Sequence, residues 1–285
     1  MTSSIKKTSD KFKQELKDIY SLSEIQQILF MIFEKYANLS KVEVITYPEK
    51  ELKPKESIDI ENALLRLIKY EPVQYILGET EFYELKFYVT DDVLIPRQET
   101  EELVDYIVKN YKNKNHLKII DFGTGSGCIA ISLSINLPKS DVYGVDISRK
   151  AIKTARKNAE LNNTDIHFIE NDILNLDFSI LPQDVDIIVS NPPYVCNSEK
   201  KLMQKNVLEY EPKTALFVED SNPLVFYDKI ADAGIKLLKK EGLIIFEINE
   251  KFALQMQNLL TNKGYKNIEV IKDLNNKYRI VRAVL

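Results

Sequence analysis

From about residue 95 onward, short apolar runs alternate with stretches of helical periodicity. Five of these runs have the length and composition of strands, and most are followed by a helical pattern: residues 117–121, 142–146, 166–169, 185–190 and 243–248. Strands joined through helices lie parallel, so the alternation predicts an α/β fold with a mostly parallel, doubly wound sheet. Two later runs, 268–270 and 278–285, have no helical pattern between them and predict a closing hairpin.

The part of the chain before this alternation has helical spacing without strand runs, over about residues 9–70. Ser21 or Ser23 can cap a helix whose apolar side runs from Ile25 to Phe33, and a second helix is predicted over about 58–70. After Pro72, residues 75–77 and 82–89 predict a hairpin. We therefore expect an N-terminal helical domain over 1–73, a hairpin linker over 74–92 and an α/β domain over 93–285.

Composition excludes several classes of protein. A formal net charge of −4 provides no basic field for nucleic acid. Apolar runs such as 28–33 are far shorter than a membrane span, and no apolar segment follows the N-terminal lysines, so we expect neither a membrane anchor nor a secretory signal. Cys128 and Cys196 favour free thiols in a reducing, cytoplasmic compartment. His116 and His167 lie in no cluster spaced for a metal.

The tetrapeptide Asn191-Pro192-Pro193-Tyr194 follows the apolar run 185–190 directly. Ligands of open α/β sheets bind beyond the carboxyl ends of the strands. Each proline restricts the residue before it to an extended conformation and brings a carbonyl without an N–H donor. The Asn191 side-chain oxygen and the Pro192 carbonyl can therefore accept hydrogen bonds from one planar –NH2 group, while the Tyr194 ring packs against it. These four residues predict a substrate site for a planar nitrogen nucleophile, with Asn191, Pro192 and Tyr194 catalytic.

A glycine loop follows the first predicted strand of the α/β part and precedes a helix predicted over 128–136. Its residues are Gly123, Thr124, Gly125, Ser126 and Gly127, which include three of the chain's eight glycines. Such a loop brings its backbone close to a nucleotide-like ligand, although it matches neither the dinucleotide nor the P-loop pattern. Asp146 ends the second strand, where a carboxylate can accept hydrogen bonds from both ribose hydroxyls of an adenosine group. The alternative for Asp146 is the N-cap of a helix starting near residue 148.

Together these residues make the chain resemble the class I S-adenosylmethionine-dependent methyltransferases. More narrowly, it resembles the HemK/PrmC family, which methylates the glutamine of the Gly-Gly-Gln motif in class I peptide chain release factors. This resemblance extends from about residue 20 to the C-terminus, and further stretches carry it: 71–78 with 81–83, 94–101, 211–216, and 272–274 with Arg279. The chain departs from the family pattern at Gln98, where proline is usual, and at Asn249, where glycine is usual. The second departure puts in question the turn after the last parallel strand.

The resemblance implies a Rossmann-like, seven-stranded methyltransferase domain that binds S-adenosylmethionine and releases S-adenosylhomocysteine. The glycine loop would run along the methionine end of the cofactor, with Asn191 beside it. Asp172 would accept a hydrogen bond from the adenine amine, and Ile173 would pack on its ring. Pro96, Arg97 and Thr100 would belong to a lid over the cofactor; the alternative for this segment is a helix start with acidic residues in its first turn.

Three functions fit these observations. We favour methylation of the glutamine side-chain nitrogen in class I release factors, which modulates translation termination; a ribosomal protein is an alternative substrate. Methylation of adenine N6 in nucleic acid is the second possibility, because that amine has the same planar shape. The net acidic charge and the lack of a basic base-reading domain argue against it. A non-catalytic scaffold is the third, against which the intact tetrapeptide and loop both argue. We expect a monomer whose N-terminal helices select the protein partner.

Overall fold

The computed structural model describes residues 3–285. The chain divides into two compact units. The first extends through Gly78 and also includes Gln204–Tyr210, whereas the second comprises Glu79–Met203 and Glu211–Leu285. The predicted domain boundaries at residues 73 and 92 remain predictions.

The first unit is helical. Its helices are α1 (Ile5–Leu16), α2 (Leu22–Ala37), α3 (Lys41–Thr46), α4 (Pro54–Leu67) and α5 (Val73–Leu77), joined by the later segment that forms α9 (Lys205–Tyr210). As predicted, Ser21 caps α2: its Oγ accepts the Glu24 N–H at 3.3 Å, and the Glu24 carboxylate accepts the Ser21 N–H at 2.9 Å. Phe12, Phe33 and the apolar sides of α2 and α4 form one core.

Two predictions in this unit were wrong in detail. The helix expected over 58–70 begins at Pro54 and ends at Leu67. The early start is explained by proline, which fits the first turn of a helix because N–H groups there have no partner within the helix. Residues 75–77, expected in a strand, lie in α5, which ends at Gly78 with a φ of 72°. A hairpin is present, but it lies later than predicted, at the start of the second unit. Its strands are β1 (Glu79–Phe82) and β2 (Leu85–Tyr88), so its turn falls inside the predicted run 82–89.

The second unit is built on a seven-stranded sheet with the order β10-β11-β9-β6-β3-β4-β5. Its strands are β3 (Lys118–Phe122), β4 (Asp141–Asp146), β5 (His167–Glu170), β6 (Val185–Ser190), β9 (Leu238–Glu247), β10 (Lys266–Lys272) and β11 (Tyr278–Val284). All neighbours are parallel except β11, which pairs antiparallel with both β9 and β10. The predicted α/β class and the closing hairpin are therefore confirmed.

Helices cover both faces of this sheet. They are α6 (Gln98–Tyr111), α7 (Cys128–Asn136), α8 (Arg149–Leu161), α10 (Val225–Leu237) and α11 (Ala253–Asn262); a separate parallel pair joins β7 (Val195–Cys196) to β8 (Phe217–Val218). Alternate residues of each central strand enter opposite cores. In β6, Ile187 and Val189 pack in one apolar cluster, whereas Ile188 between them packs in the other. Burial on both faces explains the nearly continuous apolar runs of the sequence.

Packing between α10 and Tyr265, which lies between α11 and β10, generates a stability prediction. The Tyr265 hydroxyl donates to the Ala231 carbonyl at 2.7 Å, and a Cβ added at Gly234 would overlap this hydroxyl. Alanine is intrinsically better than glycine in a helix by about 1 kcal/mol, but overpacking a rigid core costs about 1–3 kcal/mol. We expect Gly234→Ala to lower the free energy of unfolding by about 1 kcal/mol, measured by denaturant titration.

The matched background is Tyr265→Phe, which removes the overlapping oxygen. In this background we expect Gly234→Ala to be neutral or stabilising, so that the double-mutant cycle is strongly non-additive. An equal cost in both backgrounds would contradict the overlap as its cause.

Candidate active site

Polar residues end four neighbouring strands of the parallel part of the sheet. In the order β9-β6-β3-β4, these are Glu247 at the end of β9, Asn191 directly after β6, Asp121 near the end of β3 and Asp146 at the end of β4. Because the strands are parallel, their carboxyl ends lie along one edge of the sheet, where ligands of such folds bind. The fold thus brings the tetrapeptide and the glycine loop to the same edge.

The Asn191 side chain has a defined hydrogen-bond partner. Its Nδ2 donates to Thr100 Oγ1, near the start of α6, at 3.1 Å. Its Oδ1 accepts no hydrogen bond from any residue between 3 and 285, so it stays open as an acceptor. Just before it, Ser190 Oγ donates to the Phe122 carbonyl at 2.6 Å and ties the end of β6 to β3. Pro192, next in the tetrapeptide, is buried.

A buried carboxylate lies behind this amide. Glu247 is 1% exposed, and it accepts Thr100 Oγ1 at 2.6 Å on Oε2 and the Tyr194 hydroxyl at 3.0 Å on Oε1. Burial raises the pKa of Glu247, an effect partly offset by the two hydroxyl donors. Burial also raises the pKa of Tyr194, whose hydroxyl therefore keeps its proton as a donor.

Glu247 was not among the predicted site residues. The signal that could have found it is an acidic residue directly after the apolar run 243–246, at the carboxyl end of a predicted parallel strand.

The glycine loop is shaped by left-handed backbone and by Asp146. Gly123, Gly125 and Gly127 have φ of 75°, 53° and 81°, values that favour glycine. Asp146 Oδ2 accepts the Gly125 N–H at 2.9 Å, and its Oδ1 accepts the Ser148 N–H at the same distance. The N-cap of α8 is Ser148 rather than Asp146, so the capping alternative for Asp146 was wrong.

Asp121 is a second buried carboxylate that the sequence reasoning missed. It is 0% exposed; Thr124 Oγ1 donates to its Oδ2 at 2.7 Å, whereas Oδ1 lacks a hydrogen bond of ordinary geometry within residues 3–285. Burial, assisted by the nearby Asp146, raises the pKa of Asp121 to about 7. A buried carboxylate with one oxygen that lacks a hydrogen-bond partner is suited to a cationic donor.

Asp172 and Ile173 follow β5, beside the end of β4. The Asn171 N–H donates to the Asp146 carbonyl at 3.0 Å, which fixes this neighbourhood. Asp172 Oδ1 caps a short 3₁₀ segment by accepting the Leu174 N–H at 2.9 Å. Ile173 is 8% exposed and packs in the apolar cluster that contains Val145. No hydrogen bond within the described chain joins either residue to the tetrapeptide, and their adenine role remains a prediction.

The segment containing Pro96, Arg97 and Thr100 is anchored at both ends. Arg97 forms an ion pair with Glu211, which is 4% exposed and also accepts the Ile95 N–H at 3.3 Å. Helix α6 begins at Gln98 with two glutamates in its first turn, so the helix-start interpretation is confirmed. Thr100 is buried against Asn191 and Glu247. A lid role for this segment remains a prediction.

Cys128 and Cys196 are buried free thiols, as predicted. Among residues 3–285, no three His, Cys, Asp or Glu side chains are grouped as metal ligands. In the same residues, no helix combines the length and apolar character needed to cross a membrane. Ser126 is buried, and its carbonyl accepts Asn158 Nδ2 at 2.8 Å.

Comparison with known families gives two matches. The family described as PrmC N-terminal domain matches residues 10–78, and the family described as Methyltransferase small domain matches residues 98–215. A protein of Flavobacterium psychrophilum named "Release factor glutamine methyltransferase" is 46% identical over 98% of this chain and 98% of its own. One of the same name from Bacteroides thetaiotaomicron is 42% identical over 95% of this chain and 96% of its own.

Solved structures match the fold. The hMettl16 catalytic domain in complex with MAT2A 3'UTR hairpin 6 gives a TM-score of 0.55 at 15% identity, over 84% of this chain and 85% of its own. A methyltransferase from Pyrococcus furiosus gives 0.52 at 15% identity, over 79% of this chain and 98% of its own. At such identities these structures show the fold alone, which they share with the seven-stranded sheet described above.

The raised pKa of Asp121 predicts a pH-dependent stability difference. The pKa is 3.8 for an ordinary aspartate and about 7 in the fold, so ionising the buried group increasingly opposes folding between these values. Asp121→Asn removes this term. We therefore expect the variant to gain stability relative to the natural protein, on the order of 2 kcal/mol, as pH rises from 5 to 8.

Denaturant titration at each pH measures this difference. Asp141→Asn, at the exposed start of β4, provides the baseline for removing an aspartate charge. Parallel stability curves for the Asp121→Asn variant and the natural protein would contradict the raised pKa.

Proposed function

The chain belongs to the family of release factor glutamine methyltransferases, and from this premise we propose that it methylates class I peptide chain release factors. The transferred methyl group comes from S-adenosylmethionine, and the acceptor is the side-chain amide nitrogen of the glutamine in the Gly-Gly-Gln motif. In this proposal the protein acts as a monomer in the cytoplasm and modulates translation termination. The observation that carries it is the Asn191 amide, oriented by Thr100 with Oδ1 open, at the same sheet edge as the glycine loop.

The residues at this edge fit the cofactor. Buried Asp121 has an Oδ1 without a hydrogen-bond partner among residues 3–285, and this oxygen would accept from the ammonium group of the methionine end, which would lie along residues 123–127. Each Asp146 oxygen accepts one main-chain N–H and keeps lone pairs for the ribose hydroxyls. Asp172 and Ile173, next along the edge, would adjoin the adenine. When bound, the cofactor supplies an activated methyl group on a sulfonium.

The protein's contribution to transfer is to hold and orient the substrate amide. A carboxamide nitrogen is a weak nucleophile, since its lone pair is delocalised into its own carbonyl. Asn191 Oδ1 and the Pro192 carbonyl would accept both N–H bonds and stabilise the positive charge that develops on the nitrogen. Holding the amide in line, at roughly 3 Å from the methyl group, would speed the transfer, because the entropy of orienting the two groups is already lost on binding. Tyr194 would pack against the substrate, and the extra proton leaves to water after transfer.

A methyl-transfer assay with labelled cofactor tests the proposal. Purified release factor, ribosomal protein and DNA are offered side by side, with a release factor whose Gly-Gly-Gln glutamine is replaced by alanine as the matched substrate control. We expect label in the intact release factor and none in its control. Label confined to DNA or to ribosomal protein would overturn the proposed substrate.

Removing the Asn191 amide separates transfer from cofactor binding. We expect Asn191→Ala to reduce methyl transfer by about 10²–10³-fold, the effect of deleting one hydrogen-bonding group from a preorganised site. Cofactor affinity, measured by calorimetry, should change little. Asn197→Ala, three residues beyond the tetrapeptide, is the matched control. An equal loss of affinity and transfer in Asn191→Ala would refute the assignment.

Replacing Asp146 should weaken cofactor binding, in contrast to replacing Asn191, which should slow methyl transfer. Asp146→Ala removes the proposed ribose acceptor and also releases the Gly125 and Ser148 N–H groups. We expect the dissociation constant of the cofactor to rise at least about tenfold, equivalent to about 1.4 kcal/mol. Calorimetry on a variant shown by circular dichroism to be folded measures this. A dissociation constant equal to that of the natural protein would remove the ribose role.

A further inference from the structure

Two residues of the substrate tetrapeptide depend on a single buried carboxylate. We propose that Glu247 is a positioning residue that fixes the direction of the Asn191 amide through the Thr100 hydroxyl. The inference deepens the proposed function and rests on it, because it concerns how the acceptor for the substrate nitrogen is aimed.

The direction follows from counting donors and acceptors. An ionised carboxylate can only accept, so the single proton of the Thr100 hydroxyl points to Glu247 Oε2, 2.6 Å away. With its proton used, Thr100 Oγ1 can only accept, and Asn191 must turn its –NH2 group toward it, at 3.1 Å. The Asn191 oxygen is thereby directed away from Thr100. An amide rotated by 180° would place two acceptors against each other.

The other carboxylate oxygen holds the end of the tetrapeptide. Glu247 Oε1 accepts the Tyr194 hydroxyl at 3.0 Å. Glu247 therefore holds Tyr194 directly and holds Asn191 through Thr100. The Glu247 backbone is itself fixed, since its carbonyl accepts the buried Tyr227 hydroxyl at 2.9 Å. One anchored group thus sets both ends of the segment that would grip the substrate.

Charged neighbours determine when Glu247 can act as a pure acceptor. Arg279 of β11 favours the ionised form, whereas burial and the negative charge of Glu99 oppose it, and the pKa of Glu247 is raised. The remaining titratable groups that face it are Cys128 of α7, Tyr194 and Tyr227. Once protonated, the carboxyl can donate to Thr100, which frees the hydroxyl to donate to a reversed Asn191. Activity should therefore fall as pH drops through the pKa of Glu247.

The test is Glu247→Gln, which keeps the size of the side chain and removes the pure acceptor. We expect kcat for release factor methylation to fall at least tenfold, KM to change less than threefold, and the acid limb of the kcat profile to disappear. We expect Thr100→Val to lower kcat by a comparable factor. In the double variant Glu247→Gln/Thr100→Val, kcat should be little lower than in either single variant. Thr100→Ser, which keeps the hydroxyl, should retain at least tenfold more activity than Thr100→Val.

Glu99→Gln is the control for charge. It leaves the contacts with Thr100 and Tyr194 in place but removes a negative charge that raises the pKa of Glu247. The acid limb should move to lower pH in this variant. An acid limb that persists unchanged in Glu247→Gln would overturn the inference.

A second readout does not depend on the substrate. The side-chain –NH2 resonances of Asn191, recorded by NMR in nitrogen-15-labelled protein, should show slowed hydrogen exchange in the natural protein and lose it in Glu247→Gln. Unchanged resonances overturn the positioning role whatever happens to kcat. If instead the resonances respond as expected but the natural protein labels no release factor, the proposed function fails and the positioning of Asn191 stands.

Discussion

Parallel pairing of β9, β6, β3 and β4 is the constraint on which the site depends. It brings the carboxyl ends of strands from distant parts of the sequence to one edge, where Glu247, Asn191, Asp121 and Asp146 follow or end successive strands. Continuous apolar burial on both faces stabilises this arrangement. Polar contacts at the edge add to it, since Ser190 Oγ donates to the Phe122 carbonyl and ties the end of β6 to β3.

Two of these residues oppose folding when ionised. Burial raises the pKa of both Asp121 and Glu247, so the fold would be more stable with neutral groups in their places. Their hydrogen bonds differ in a way that separates their uses. Both Glu247 oxygens accept hydroxyls from the protein and so brace its interior, whereas one oxygen of Asp121 has no hydrogen-bond partner among residues 3–285. Sites that bind charge commonly retain such a cost in stability.

The sequence predicts the parts of this site that are local. Residues 185–190 form β6 as predicted, and the restraint that proline places on neighbouring residues makes the tetrapeptide recognisable without a structure. Contacts between distant residues are another matter: nothing near Thr100 in sequence indicates that it would bridge Asn191 and Glu247. Short apolar runs are also ambiguous between strand and helix, and residues 75–77 lie in α5, which ends at Gly78. Helix α4 begins at Pro54, before the start that the sequence predicted near residue 58.

The departure from the family pattern at Asn249 has a structural consequence. Its φ is −69°, so the turn after β9 does not need the glycine that is usual there, and the doubt about this turn is removed. The asparagine side chain adds two contacts: Oδ1 accepts the Lys251 N–H at 3.2 Å, and Nδ2 donates to Glu199 at 3.3 Å. Glu199 also accepts the Cys196 N–H at 3.0 Å, two residues beyond Tyr194. Glu247, at the end of β9, holds the tetrapeptide through Tyr194. The Asn249–Glu199 contact links the segment that follows the tetrapeptide to the residues just after the same strand. A glycine at position 249 would lack this contact.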